Sequence, residues 1–247
     1  MEKLKTYFNW SSGKDSALAL HYLLQDKNYH VDHLLTSINS VHDRVSMHGL
    51  RRTLLEEQIR SIGIESSTIE LPEQSSMEEY ESIMQAAVIK LCHRGYKYAA
   101  FGDIFLEDLK KYREAQLEKM HLRAVFPLWK RDTRELLHEF VDLGFKAVVV
   151  CVNATLLEPS FAGRMIDKDF IRDLPKDVDP CGENGEFHSF CFDGPIFKAP
   201  VTFQIGEKIY REYQAPDKTS GEQNMGFWFC DLLPLEETIF SHGPLAF

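Results

Sequence analysis

The chain has 247 residues, 44% of them hydrophobic and 27% charged, with a formal net charge of −10. That length allows a sizeable core in one large or two small domains, and no apolar run approaches the ~20 residues of a membrane span. The acidic balance argues against a chain whose main task is to neutralise nucleic-acid phosphates. Five cysteines in no regular framework fit a reducing, cytoplasmic setting better than a disulfide scaffold, and the early polar-flanked strand gives no expectation of a signal peptide.

Leu4 to Trp10, rich in β-branched and aromatic residues, reads as a strand, and Ala17 to Leu24 as a helix of strong helix formers. Between them stands Ser11-Ser12-Gly13-Lys14-Asp15-Ser16. A strand, a small polar turn and a helix build an anion site in α/β folds, because the first helical N–H groups lack intrahelical acceptors and the helix dipole is positive there. Lys14 adds a full charge and the serines add hydroxyls. A Walker A loop is excluded twice: Phe8 stands where its first glycine belongs, and Asp15 follows the lysine where Ser or Thr belongs.

Val31 to Ser37 reads as a second strand, whose exit Ser37-Ile38-Asn39 would bracket a ligand bound on the first loop. Met47-His48-Gly49 is expected to open a helix carrying Leu50, Leu54, Ile59 and Ile62, ended by Gly63. Ser67 to Leu71 reads as a strand and Ser76 to Arg94 as a helix, with Ser76 and Glu79 at capping-box spacing. Tyr98 to Phe101 forms a compact apolar strand ended by Gly102-Asp103, and Glu107 to His121 a charged helix. This alternation implies a parallel sheet with helices on both faces. The Lys/Glu mixture from Lys110 to Arg134 reads as a solvated face rather than a nucleic-acid patch.

From Val125 the pattern changes. A helix from Thr133 to Leu143 precedes the continuous apolar run Ala147 to Val152, the mark of a strand buried on both faces. A short helix from Asp167 to Leu174 follows, then β-type segments at Phe187 to Phe192, Val201 to Ile205 and Phe227 to Asp231. A second α+β lobe is therefore expected, dividing the chain into residues 1–126 and 127–247. Arg164, beside Gly163, suits a salt bridge within that lobe or a bidentate grip on a substrate carboxylate equally well. The loop Asp179 to Phe190 concentrates acids, an amide, a histidine and two glycines; polar groups this dense lie at the surface or in a site.

Ser11 to Ser16 resembles the S-G-G-K-D-S loop of the PP-loop ATP pyrophosphatases, with Ser12 replacing the first glycine. The change matters if that position needs a positive φ or close approach to phosphate. Together with Met47-His48-Gly49, Gly102-Asp103-Ile104, Leu128-Trp129, Gly163-Arg164 and Cys181-Gly182-Glu183-Asn184-Gly185-Glu186-Phe187-His188, the chain resembles the diphthine–ammonia ligase family from about Lys5 to Ile205. That family consists of N-type ATP pyrophosphatases, whose signature usually continues E-T where this chain has His188-Ser189. That departure and the absence of extra C-terminal domains resemble the short bacterial branch.

The resemblance implies an α/β fold with a Rossmann-like parallel sheet of the adenine nucleotide α-hydrolase type and a smaller α+β substrate lobe. It implies ATP and Mg²⁺ on Ser11, Ser12, Gly13, Lys14, Asp15 and Ser16, with Asp15 toward the metal and Ser37, His48, Gly102 and Asp103 around the adenosine. Gly182, Glu183, Asn184, Gly185, Glu186 and His188 would line the acceptor or ammonia pocket, with Glu183, Glu186 or His188 as base. The implied reaction adenylates a carboxylate-bearing acceptor and lets ammonia displace AMP. No nucleic acid or membrane partner is expected, and there is room for a homodimer. Two other functions compete. Sulfur transfer to tRNA would want a reactive thiol at Cys151 or Cys181 and a basic surface; the other is nucleotide binding without catalysis.

Overall fold

The computed structural model describes residues 3–73, 75–213 and 225–235. The first sheet is built from β1 (Leu4–Asn9), β2 (Tyr29–Asn39), β3 (Arg44–Val45), β4 (Glu65–Leu71), β5 (Tyr98–Ala100) and β6 (Arg123–Val125). β1 pairs in parallel with β2 and β5, β2 with β4, and β5 with β6, so the parallel order is β4-β2-β1-β5-β6; β3 adds a short antiparallel rung to β2. The order reverses between β1 and β5. In an open α/β sheet that is where a ligand crevice forms, beyond the carboxyl ends of the strands.

The helices are distributed over both faces of the sheet. Alternation along β1 sends Phe8 into one core and Tyr7 into the other. The Phe8 side is covered by α1 (Lys14–Gln25) and α2 (Arg52–Ile62), and the Tyr7 side by α3 (Met77–His93) and α4 (Glu107–Glu118). Ser76 caps α3 by accepting the Glu79 N–H at 3.1 Å, as its spacing predicts.

The second sheet is antiparallel, in the order β8 (Phe187–Asp193), β7 (Lys146–Asn153), β10 (Met225–Pro234) and β9 (Phe203–Tyr213). Ala147 to Val152 is buried on both faces, as its apolar run requires. One continuous core joins Phe8, Leu18 and Leu54 of the first sheet and its helices to Val148 and Phe190 of the second. α1 and α2 thus lie between two sheets. α5 (Thr133–Asp142) and α6 (Lys168–Asp173) complete the second lobe.

Two expectations are corrected. Met47-His48-Gly49 does not open a helix: Met47 (φ 65°) and Gly49 (φ 69°) turn the chain tightly after β3, and α2 begins at Arg52. The strand at Val201 to Ile205 begins later and runs far longer, as β9. Its residues are mostly exposed, so hydrophobic alternation marks only its start. No helix among the described residues is long and apolar enough to cross a membrane.

Candidate active site

The loop after β1 is held by hydrogen bonds to β8, to α2 and within itself. Ser12 has φ 70°, the left-handed region that glycine enters without steric cost. Its side chain is fully buried, and Oγ has no hydrogen-bond partner. Its carbonyl accepts from Cys191 N on β8 at 2.9 Å and from Gln58 Nε2 of α2 at 3.0 Å. Gln58 is itself buried and accepts from Trp10 Nε1 at 2.8 Å. Ser11 and Ser16 close the loop hydroxyl to hydroxyl at 2.7 Å. Gly13 offers no side chain to cap α1; instead the Lys14 N–H donates to Ser189 Oγ of β8 at 3.2 Å.

Gly102, at the end of β5, comes against the first turn of α1. A Cβ there would lie 3.0 Å from both Asp15 C and Ser16 N, so a side chain would push β5 off the helix start. The two carboxyl ends flanking the reversal of strand order are therefore held in direct apposition.

The Lys14 side chain leaves the loop and enters the second lobe. It is 3% exposed, pairs with Asp15 Oδ2 at 2.7 Å, donates to the Cys181 carbonyl and lies 5.1 Å from the Phe187 ring centroid. Burial works against the ammonium, but the Asp15 carboxylate beside it holds Lys14 charged, above its usual range. The two stretches that stand out in the sequence thus meet at one side chain.

The second loop is a carboxylate scaffold. Glu186, 2% exposed, accepts from Asp179 N at 3.0 Å and Asn184 Nδ2 at 3.1 Å with one oxygen, and from Asn184 N at 2.9 Å with the other. Asp179 accepts from Cys181 N and Glu183 N, each at 3.0 Å, and from Thr133 Oγ1 at 2.6 Å. Gly182 turns the loop with φ 71°, where a Cβ would lie 2.8 Å from Phe187 O. The Glu186 and Asp179 carboxylates are thereby occupied by N–H and hydroxyl donors of their own lobe. Asn184 is exposed, and Gly185 forms the loop's outer turn.

Glu183 differs from its neighbours. It reaches back to the first lobe, where Oε1 accepts from Ile104 N at 2.7 Å, directly after Gly102-Asp103. Burial, with Asp15 and Asp103 nearby, pushes its carboxyl up to about 7, although the Ile104 N–H and Lys14 pull the other way. A carboxyl poised near neutral pH at the meeting of two lobes suits proton transfer.

His48 and His188 pack together at 4.8 Å between ring centroids with their planes tilted by 33°, and a Cβ on Gly13 would lie 2.9 Å from His48 Cε1. His48 therefore sits on the phosphate-loop side, facing the second lobe. Ser37 and Asp103 lie toward the other face of the sheet. Ser37 Oγ is 3.9 Å from Met84 Sδ, and Asp103 pairs with Arg113 at 3.0 Å. Met84 and Arg113 line a half-open pocket between α3 and α4, whose lining also includes Asn9 and Phe101. Arg164 is the outlier. Its guanidinium pairs with Asp173 at 2.9 Å and lies over Phe161 and Phe170, so of its two readings the structure adopts the salt bridge inside the second lobe.

Sequence reasoning missed Asp179, Ser189 and Gln58. Asp179 and Ser189 stood inside the noticed stretch, but nothing in spacing distinguishes a backbone-holding acid from a catalytic one. Gln58 gave no signal, because its partners Trp10, Ser12 and Cys191 are remote in sequence. Among the described residues no three His, Cys, Asp or Glu side chains converge as a metal site. Asp15, a single carboxylate beside the anion loop, fits an ion such as Mg²⁺ that takes its other ligands from phosphates and water. All five cysteines are free thiols.

The sequence patterns of the diphthamide synthase N-terminal and C-terminal domains match residues 4–124 and 132–217. The diphthine–ammonia ligase of Bos taurus is 29% identical over 110 residues, covering 42% of this chain and 41% of its own length. The human enzyme is 28% identical over 116 residues, 44% of this chain and 43% of its own. That of Schizosaccharomyces pombe is 27% identical over 153 residues, 54% of this chain and 25% of its own. The matches thus span less than half the length of these curated relatives. Among solved structures, the U34-tRNA thiolase NcsA from Methanococcus maripaludis, with its [4Fe-4S] cluster, aligns with a TM-score of 0.36 at 18% identity over 57% of each chain. With both domain patterns present in order, meeting where Lys14 enters the Cys181–Glu183 loop, the chain belongs to the diphthamide synthase family.

Proposed function

We propose that this protein is an ATP-dependent, AMP-forming amide ligase, with residues 1–126 as the nucleotide lobe and 127–247 as the substrate lobe. The observation that carries this reading is Lys14, which joins the phosphate loop to the loop bearing Glu183. The polyphosphate lies on Ser11 to Ser16, and the nucleoside enters the cavity between α3 and α4, past Asn9, Met84 and Phe101. Asp15 would hold Mg²⁺, which when bound neutralises phosphate charge.

A carboxylate oxygen of the acceptor attacks the α-phosphorus, the bond from that phosphorus to the bridging oxygen breaks, and pyrophosphate leaves with the electron pair. Lys14 and the N-terminus of α1 face the charge that develops, so the first lobe contributes positioning and electrostatics. Ammonia then adds to the acyl carbon and AMP departs from it. Glu183 accepts the proton that nitrogen loses, a role suited to a carboxyl held near 7. The two histidines border this space, and Asp179 and Glu186 hold the loop that presents Glu183.

Thiol chemistry has less support. Burial pushes Cys151 up to about 12 and lifts the Cys181 thiol well above its usual range despite Lys14, whereas a nucleophilic cysteine needs a depressed value.

The test is phosphorus NMR of the protein with ATP, Mg²⁺, ammonium and a small-molecule cell extract, beside an Asp15→Ala control. AMP plus pyrophosphate from the wild type alone is expected. ADP plus phosphate would overturn cleavage between the α- and β-phosphates. Replacing Met84 by Trp, which fills the cavity, should weaken ATP binding at least tenfold and leave inorganic triphosphate binding unchanged.

A further inference from the structure

Two imidazoles pack together beside the Ser11–Ser16 loop, their planes tilted by 33°, and hydrogen bonding fixes the state of His48. His48 Nδ1 lies 3.1 Å from the Ser189 carbonyl. A carbonyl only accepts, so Nδ1 carries the proton and the ring's remaining lone pair is on Nε2. Ser189 is itself held in place, because its hydroxyl accepts the Lys14 N–H at the start of α1. The His48 ring is thus locked to the helix terminus, edge against Gly13.

The surroundings keep both rings neutral. Burial is the main cause; Lys14 opposes a second positive charge at both rings, and His48 opposes one at His188, leaving His48 near 4 and His188 near 3. The groups facing the pair are Lys14 from α1, the Ser189 carbonyl from β8 and, against the adjoining Gly49, the apolar Phe229 of β10. A polyphosphate on the loop brings several negative charges beside these half-buried rings and reverses the balance.

We propose that His48 is a proton-taking arm of the phosphate site: neutral before a polyphosphate binds, it takes one proton from solvent at Nε2 on binding and then donates that N–H to a phosphate oxygen. His188 remains neutral and packs against it, holding the ring plane. The proton returns to solvent when pyrophosphate leaves. This rests on the nucleotide reading above and adds a prediction that reading does not make, namely that nucleotide binding is coupled to proton uptake.

Calorimetric titration of Mg-ATP and of inorganic pyrophosphate at pH 7.5, in HEPES and in Tris, measures the coupling from the dependence of heat on buffer ionisation. About one more proton should be taken up by the wild type than by His48→Gln. His188→Gln should retain most of that uptake, which also serves as a control for disturbance of the pair. Wild-type affinity should rise toward tenfold per pH unit as pH falls from 8 to 6, and His48→Gln should lose this slope. Equal uptake in all three proteins, or loss in His188→Gln alone, would overturn the role of His48 while leaving the nucleotide site standing. Failure of both ligands to bind the wild type would overturn both. A histidine ¹⁵N spectrum with and without pyrophosphate should show one ring passing from neutral to imidazolium.

Discussion

The two loops that meet at Lys14 are organised by different means. The Ser11–Ser16 loop is shaped by backbone topology: a parallel strand, a turn and a helix start, with β5 close enough that Gly102 has no room for a side chain. The Asp179–His188 loop has no helix or strand to shape it until β8 begins, and is held by two acids whose oxygens accept its own N–H groups. Acids in a dense polar motif can therefore be scaffold, and here only Glu183 is left facing the other lobe. Substitutions should separate the two kinds of loop.

The largest effect is expected in the second loop. Glu186→Ala leaves two backbone N–H groups and an amide without their acceptor and should cost about 3–5 kcal/mol of stability in urea unfolding. Unchanged stability with loss of one limb of a pH–rate profile would instead make Glu186 the base.

Next comes Glu183, whose folded carboxyl titrates near 7 against an ordinary value of 4.5. Between those values the folded state binds more protons than the unfolded one, so stability falls as pH rises through the window. The full cost, up to about 3 kcal/mol, is present above pH 7. Glu183→Gln should flatten that slope, stabilise the protein at pH 7.5 relative to pH 4.5, and lower the rate of AMP formation by roughly 10²–10⁴. A wild-type stability profile already flat from pH 4.5 to 7 would contradict the assignment.

In the first loop the expected change has the opposite sign. Ser12→Gly removes a left-handed serine and a buried hydroxyl without a partner, and should raise stability by about 1–2 kcal/mol. A fall in melting temperature would show that the hydroxyl has a role the backbone strain conceals. Smallest is Arg164→Ala: its partner Asp173 is 40% exposed, so the loss should stay under about 1 kcal/mol. The Michaelis constant for ATP should stay within twofold of wild type.

The same contrast explains what could be read in advance. The parallel sheet, the strand–turn–helix at Ser11 to Ser16 and the buried β7 were legible because local periodicity, a small-residue turn and an apolar run each have one physical meaning. The turn at Met47 to Gly49 was taken for a helix start because apolar spacing beyond it continues into α2, while the positive φ at Met47 leaves no mark in the residue type. The roles of Asp179, Glu186 and Gln58 depend on partners that only folding brings near. Arg164 was legible as a choice between two partners, and in the structure it pairs with Asp173 over Phe161 and Phe170.

The central claim is that the two loops form one site, and a double-mutant cycle tests it most directly. Lys14→Met, Glu183→Gln and the double variant would be compared for AMP release from ATP in the presence of ammonium and the extract. If one site does the chemistry, the double variant should be little worse than the poorer single one, a coupling of at least about 1 kcal/mol between the two residues. Strictly additive losses would mean that Lys14 and Glu183 act independently, and the account of a shared site would fail.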